Sequence, residues 1–185
     1  MISHTGAIDL KDRAFRYSGP AIVLHWTIAV MALSLTTLGF LLSWQKFPSD
    51  TYNNLHYWHR SFGEVALVVV VFALIWRARR PRPPRADGPK WRQLTASCAQ
   101  SVIYVLLLSM PLAKIARGAF GLGWVFFGVS VPAPWPPNKV MSGLLSDAHY
   151  YGGFALVALS VLHISAALWH RLVKRDDVLA RMLPG

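Results

Sequence analysis

The chain has 185 residues, of which 54% are hydrophobic, and its 19 Lys and Arg against 8 Asp and Glu give a net charge of +11. Such a charge would suit nucleic acid, but the basic residues cluster at the ends of apolar runs, so a nucleic-acid partner is unnecessary. The single cysteine, Cys98, excludes an internal disulfide.

Four stretches are apolar and almost free of charge: Ala21 to Trp44, Ser61 to Trp76, Leu94 to Ile115 and Tyr150 to Leu172. A spanning helix takes about 20 such residues, and a charge at its centre costs roughly 2.5 to 3.5 kcal/mol, so these predict four transmembrane helices in a single all-α domain, 1–185. Residues 1–18 form a polar N-terminal tail, with Pro20 suited to the first turn of helix one. The first apolar stretch is too long for the apolar region of a signal peptide and no A-x-A site follows it, so the chain is expected to keep it. "KFPSD" ends helix one after Trp44, and helix two stops at the basic loop Arg77 to Arg92. Pro111 predicts a kink or fray near the far end of helix three. The segment Arg117 to Val140 is aromatic but broken by Gly and Pro; it predicts an irregular interfacial loop, either a connector or a lid over a site. Trp26, Trp44, Trp58, Trp76, Trp91 and Trp169 fall near span ends, as an aromatic belt requires.

Orientation follows from the cations. With the N-terminus cytoplasmic, 14 of the 19 basic residues lie inside: Lys11, Arg13 and Arg16, seven in the Arg77 to Arg92 loop, and Arg171, Lys174, Arg175 and Arg181. Lys46, Arg60, Lys114, Arg117 and Lys139 are left outside, so the positive-inside rule predicts both termini in the cytoplasm.

The fourth span carries His149 and His163, 14 residues apart. At about 3.6 residues per turn they share a face and stand roughly 21 Å apart along the axis. An isolated His in a membrane helix is commonly a hydrogen-bonded interhelical residue, but here partners lie at matching depths on neighbouring helices. His25 is near the inner surface with His163, and His59 near the outer surface with His149. Two imidazoles are too few for a closed tetrahedral zinc site. They suit the two axial positions of haem iron, and with no C-x-x-C-H pattern the haem would be the non-covalent b type. Both axial positions filled leaves one-electron transfer as the chemistry. Gly39 and Ala73, each 14 residues after a candidate ligand, would offer the second macrocycle a small residue, and Gly63, Gly152 and Gly153 lie near the outer one.

The residues "IVLHW" (22–26), "HRSFG" (59–63), "VIYVLLLSMPL" (102–112), the His149 to His163 spacing and the tail "RDDVLARMLP" (175–184) resemble the bacterial di-haem cytochrome b561 family over almost the whole chain after residue 15. The likeness is greatest to its stand-alone four-helix members, which include superoxide oxidase. That resemblance implies a four-helix bundle in the bacterial inner membrane with two b haems stacked across the bilayer. It implies His25, His59, His149 and His163 as iron ligands, electron exchange with ubiquinone, and oxidation of superoxide to oxygen at the periplasmic face.

Other residues stay open between roles. His56, one turn before His59, is an alternative ligand, an interfacial residue, or a hydrogen-bond donor to a haem propionate or quinone oxygen; with Gly39, Gly63 and Arg60 it completes the candidate cofactor-binding set. Lys114, Arg117 and Lys139 could steer a small anion or simply snorkel. Glu64, the one acid within a span, is a candidate proton partner or the mate of Arg60, and the family motif does not require it. His170 reads as an interfacial residue. Besides the superoxide and quinone reading, the chain could be the membrane anchor of a larger dehydrogenase, with a soluble subunit as partner, or a homo-oligomer. A metal or haem transporter, which would show an inverted repeat and broken helices, is a third class.

Overall fold

A computed structural model describes residues 16–80, 83, 84, 88–121 and 123–183. Most of the polar tail, including Lys11 and Arg13, and Arg82 and Arg85 of the basic loop lie outside the described residues.

Four long helices dominate: α1 Gly19–Trp44, α2 Ser49–Arg79, α3 Lys90–Ala119 and α4 Lys139–Trp169. Each is long and apolar enough to cross a membrane. Even α1, with 26 residues, is about 39 Å long at 1.5 Å per residue, more than the hydrocarbon core requires. Pro20 sits in the first turn of α1. Pro48 precedes α2, and Asp50 lies in its first turn, where the helix dipole favours an acid. The helix therefore begins well before the apolar stretch at Ser61, so both His56 and His59 are helical. Likewise α4 starts at Lys139, where Asn138 accepts a hydrogen bond from the Met141 N–H at 3.0 Å. Helix α3 continues through Pro111 to Ala119, so a fray does not end it there.

The segment after α3 is more ordered than its Gly and Pro content suggests. Trp124–Phe126 (β1) pairs antiparallel with Val129–Val131 (β2), the one departure from an all-α chain among the described residues. The two-residue tip, Phe127 and Gly128, has φ of 43° and 85°, the left-handed geometry that a tight hairpin demands. Phe127 accepts that backbone while its N–H donates to Ser61 Oγ at 3.4 Å, and Ser61 is fully buried. Thus the hairpin is pinned to α2 two residues from His59.

The core is thin, as a bundle meant for lipid allows. Ile28, Val70 and Ala73 are buried and packed by Leu24, Leu107 and Leu108, while Val68, Val105 and Leu162 lie more than half exposed around the outside. Exposed apolar surface on this scale belongs against acyl chains. Helix α1 packs along α2, α2 along α3, and α3 most closely along α4. The backbones of α1 and α4 stay farther apart. They are bridged by side chains, such as Phe40 against Phe154 with ring centroids 4.9 Å apart.

Candidate functional site

The histidines of α1 and α2 each meet one on α4. At the hairpin end, His59 of α2 and His149 of α4 have ring centroids 6.2 Å apart and planes crossing at 81°. At the other end, His25 of α1 and His163 of α4 are also 6.2 Å apart, with planes at 62°. The equal separations have a physical meaning. A first-row metal binds imidazole at about 2.0 to 2.1 Å and the ring centre lies about 1.1 Å behind the nitrogen, so two imidazoles across one metal have centroids roughly 6.3 Å apart. Both pairs match the spacing of two imidazoles facing one metal, a separation that edge-on packed rings such as Trp58 and Phe127 at 6.3 Å also reach.

The hairpin-end pair borders a cavity of about 860 Å³, lined also by Gly39, Gly63, Gly153 and Leu156. His149 donates from Nδ1 to the Met110 carbonyl at 2.8 Å, because a carbonyl can only accept. That fixes the tautomer and leaves Nε2 with its lone pair free for a metal. His59 Nδ1 is buried without a partner, the nearby Leu35 carbonyl falling outside sound hydrogen-bond geometry. A buried polar atom left so is what a bound group at this site would account for. A Cβ on Gly63 or Gly153 would meet nothing within 4 Å, whereas one on Gly39 would lie 3.2 Å from His59 Cε1. Gly39 thus keeps room for the His59 ring. A Gly39→Leu variant should displace that ring and lower haem content at this site alone, read as the fraction of the reduced absorbance lost; full haem content in the folded variant would remove Gly39 from the cradle.

The cavity fits a flat macrocycle held by two imidazoles: opposed ligands, small residues on α1, α2 and α4, and apolar walls. Among the described residues no group of three or more His, Cys, Asp or Glu could hold a metal ion, so the pairs lack the donors for a closed zinc site.

Polar residues gather at the cavity mouth. His56, Arg60, Glu64, Lys114 and Arg117 line it, and His56 stacks on Tyr52 with centroids 5.8 Å apart. Arg60 and Glu64 share a face one turn apart but form no ion pair among the described residues. Lys139, the first residue of α4, is exposed and outside the cavity lining. Gly152 turns toward Met110 of α3, so its small size serves helix packing and not the cavity.

The opposite pair has a groove on its His25 side. A groove of about 70 Å³ beside His25 is lined by Ala73, Trp76, Tyr104 and Met182. Arg77 lies over the Tyr104 ring and Arg80 over Trp76, at 5.3 and 4.9 Å. His170, expected to be an ordinary interfacial residue, donates from Nδ1 to Asp176 at 2.6 Å, where α4 gives way to a π-helical turn, His170–Lys174. Burial alone would raise the Asp176 carboxyl, but the hydrogen bonds from His170 and the Val178 N–H, with the charges of His170 and Lys174, hold it below the usual carboxylate range. The Met110 carbonyl and the contacts of the C-terminal tail have no counterpart in residue type, so no sequence pattern could have exposed them.

Comparison with known proteins gives the family of the chain. A family profile described as prokaryotic cytochrome b561 matches residues 16–185. Cytochrome b561 homolog 1 of Escherichia coli K12 is 30% identical over 172 residues, covering 91% of this chain and 97% of its own length. Cytochrome b561 homolog 2 of the same organism is 26% identical, with 91% of each chain covered. A probable superoxide oxidase CybB of Yersinia pestis is 27% identical over 91% of this chain and 96% of its own. With its four membrane-crossing helices, the chain belongs to the prokaryotic cytochrome b561 family, membrane electron-transfer proteins that carry haem b.

Proposed function

We propose that this protein is a di-haem b-type cytochrome of the bacterial inner membrane that moves single electrons between superoxide on the outer side and the ubiquinone pool. The observation that carries the reading is the pair of stacked imidazole couples with equal 6.2 Å separations. His25 and His163 would hold one haem and His59 and His149 the other. Bound haem would supply a one-electron couple whose potential the imidazoles holding it would help to set.

This chain's residues do the rest. The His149 hydrogen bond to Met110 orients one ligand, and Gly39 leaves space for the facing one. The apolar cluster around Val70 gives the cavity an apolar inner wall. Arg60, Lys114 and Arg117 give the larger cavity a cationic mouth, which attracts an anion such as superoxide and raises its on-rate. Lys139, outside the lining, would act only at longer range. Glu64, in the cavity wall, is a candidate to carry a proton. In the overall balance, two superoxide anions release two electrons and become two molecules of oxygen; these electrons and two protons convert one quinone to quinol. The distribution of basic residues favours both termini on the cytoplasmic side. The likeness to a probable superoxide oxidase favours superoxide as the donor.

A second reading, the anchor of a larger dehydrogenase, draws on the aromatic cluster of Trp58, Phe62 and Phe127 at the hairpin end, all partly exposed. A reduced-minus-oxidised spectrum of the purified protein separates the readings. Two b haems per chain, reduced by superoxide and reoxidised by a soluble quinone analogue, are expected. Two haems indifferent to superoxide would favour the anchor, and a colourless protein would sink the ligand assignment.

A further inference from the structure

We propose that Trp26 is a positioning residue for the inner site: it holds the C-terminal strap, residues 175–183, across the groove beside His25, closing that site to aqueous anions while the outer site stays open. The inference rests on the di-haem reading and adds an asymmetry to it.

A tryptophan at a span end ordinarily offers its N–H to water or headgroups. Trp26 instead donates from Nε1 to the Met182 carbonyl at 2.7 Å, within the strap. Its ring stands edge-on to His25, with centroids 5.5 Å apart. One side chain therefore touches both the strap and the candidate ligand. The strap is tied at further points. The Tyr17 N–H donates to the Arg181 carbonyl at 3.2 Å, and the Arg16 guanidinium to the Leu183 carbonyl at 2.8 Å. The Arg181 guanidinium reaches the Pro84 carbonyl of the loop between α2 and α3 at 2.8 Å. At its near end Arg175 turns the chain with φ of 55°, and His170 latches Asp176. The strap thus joins the start of α1, the α2 to α3 loop and the end of α4.

Its position has a consequence for the site. Met182, whose carbonyl Trp26 holds, also lines the groove at His25. The groove is small, about 70 Å³, and lies on the His25 side of the pair, so Met182 forms part of the wall between His25 and the strap. A shell that excludes water changes the potential of a redox centre and the access of charged reactants to it. The strap therefore makes the two centres unequal, and restricts small anions to the outer one.

The test uses the purified holoprotein with Trp26→Phe, which keeps the ring and removes the donor, and Asp176→Asn, which weakens the latch without touching either pair. A redox titration resolves two components in the wild type. In Trp26→Phe one component should shift by about tenfold in its oxidised-to-reduced ratio at fixed potential, about 59 mV for a one-electron couple, with the other unmoved and haem content unchanged. Oxidation of that component by ferricyanide should speed up, and Asp176→Asn should act in the same direction but less. Unmoved components, or equal shifts in both, would overturn the proposal. Trypsin cleavage after Arg175 reads the strap without haem: it should be faster in Trp26→Phe, and an unchanged rate would overturn the strap even if the protein proved colourless, an outcome that would separately end the di-haem reading.

Discussion

Substituting His59 by Ala should remove one of two haems per chain, whereas His56→Ala should keep both. The two histidines lie one turn apart on α2 and look equivalent in sequence, but their surroundings differ. His59 faces His149 at 6.2 Å and carries a buried Nδ1 without a partner, while His56 stacks on Tyr52 at the cavity mouth. Only His59 belongs to an opposed couple. His149→Ala should match His59→Ala in haem loss and also strip the Met110 carbonyl of its donor. Such a loss of a buried hydrogen bond costs about 1 to 3 kcal/mol, so it should be the less heat-stable of the two variants. Haem per chain, measured as the pyridine complex against protein mass, decides the matter. Equal retention in His59→Ala and wild type would show that His59 is not a ligand, and loss in His56→Ala would exchange their roles.

Much of this arrangement was legible because bilayer crossing imposes a coarse rule. Uncharged runs of about 20 residues mark spans, and helical rise turns residue number into depth, so pairing His25 with His163 and His59 with His149 needed only arithmetic. Helix ends were less legible. Hydropathy marks where a helix enters the hydrocarbon and not where it stops, so apolar stretches that begin at Ser61 and Tyr150 do not reveal that α2 starts at Ser49 and α4 at Lys139. The small-residue argument worked unevenly for a related reason. Gly39, Gly63 and Gly153 border the cavity, but Gly152, one position away on the same helix, faces Met110, since adjacent residues point about 100° apart. The hairpin escaped notice because its tip places Phe127 in a left-handed conformation, which a sequence reading assigns to Gly or Asn first. The strap escaped because its acceptors are backbone carbonyls, available in every residue; only the three-dimensional path of the chain brings those of Arg181, Met182 and Leu183 to Tyr17, Trp26 and Arg16.

The second large effect should come from charge. Replacing Arg60, Lys114 and Arg117 together by Gln should slow reduction by superoxide about tenfold or more at low ionic strength and flatten its dependence on salt. The reasoning is that these three cations share one cavity mouth, contributed by α2 and α3, and low-dielectric walls focus their fields instead of letting water screen them. Added salt shortens the Debye length to about 8 Å at 0.15 M, so the wild-type rate should fall with salt while the neutralised variant, having little attraction left to screen, should not. Lys139→Gln is the informative control. It removes one positive charge from the same end of the bundle, but outside the cavity, and should change the rate less than a single Gln substitution at Arg60, Lys114 or Arg117. Because the three residues border a haem-sized space, haem content and the reduced spectrum must first match the wild type. With that met, a triple variant as fast as wild type and equally salt-sensitive would remove these residues from substrate capture. A fall of the same size in Lys139→Gln would assign steering to the whole outer surface, leaving the cavity mouth no special part in it.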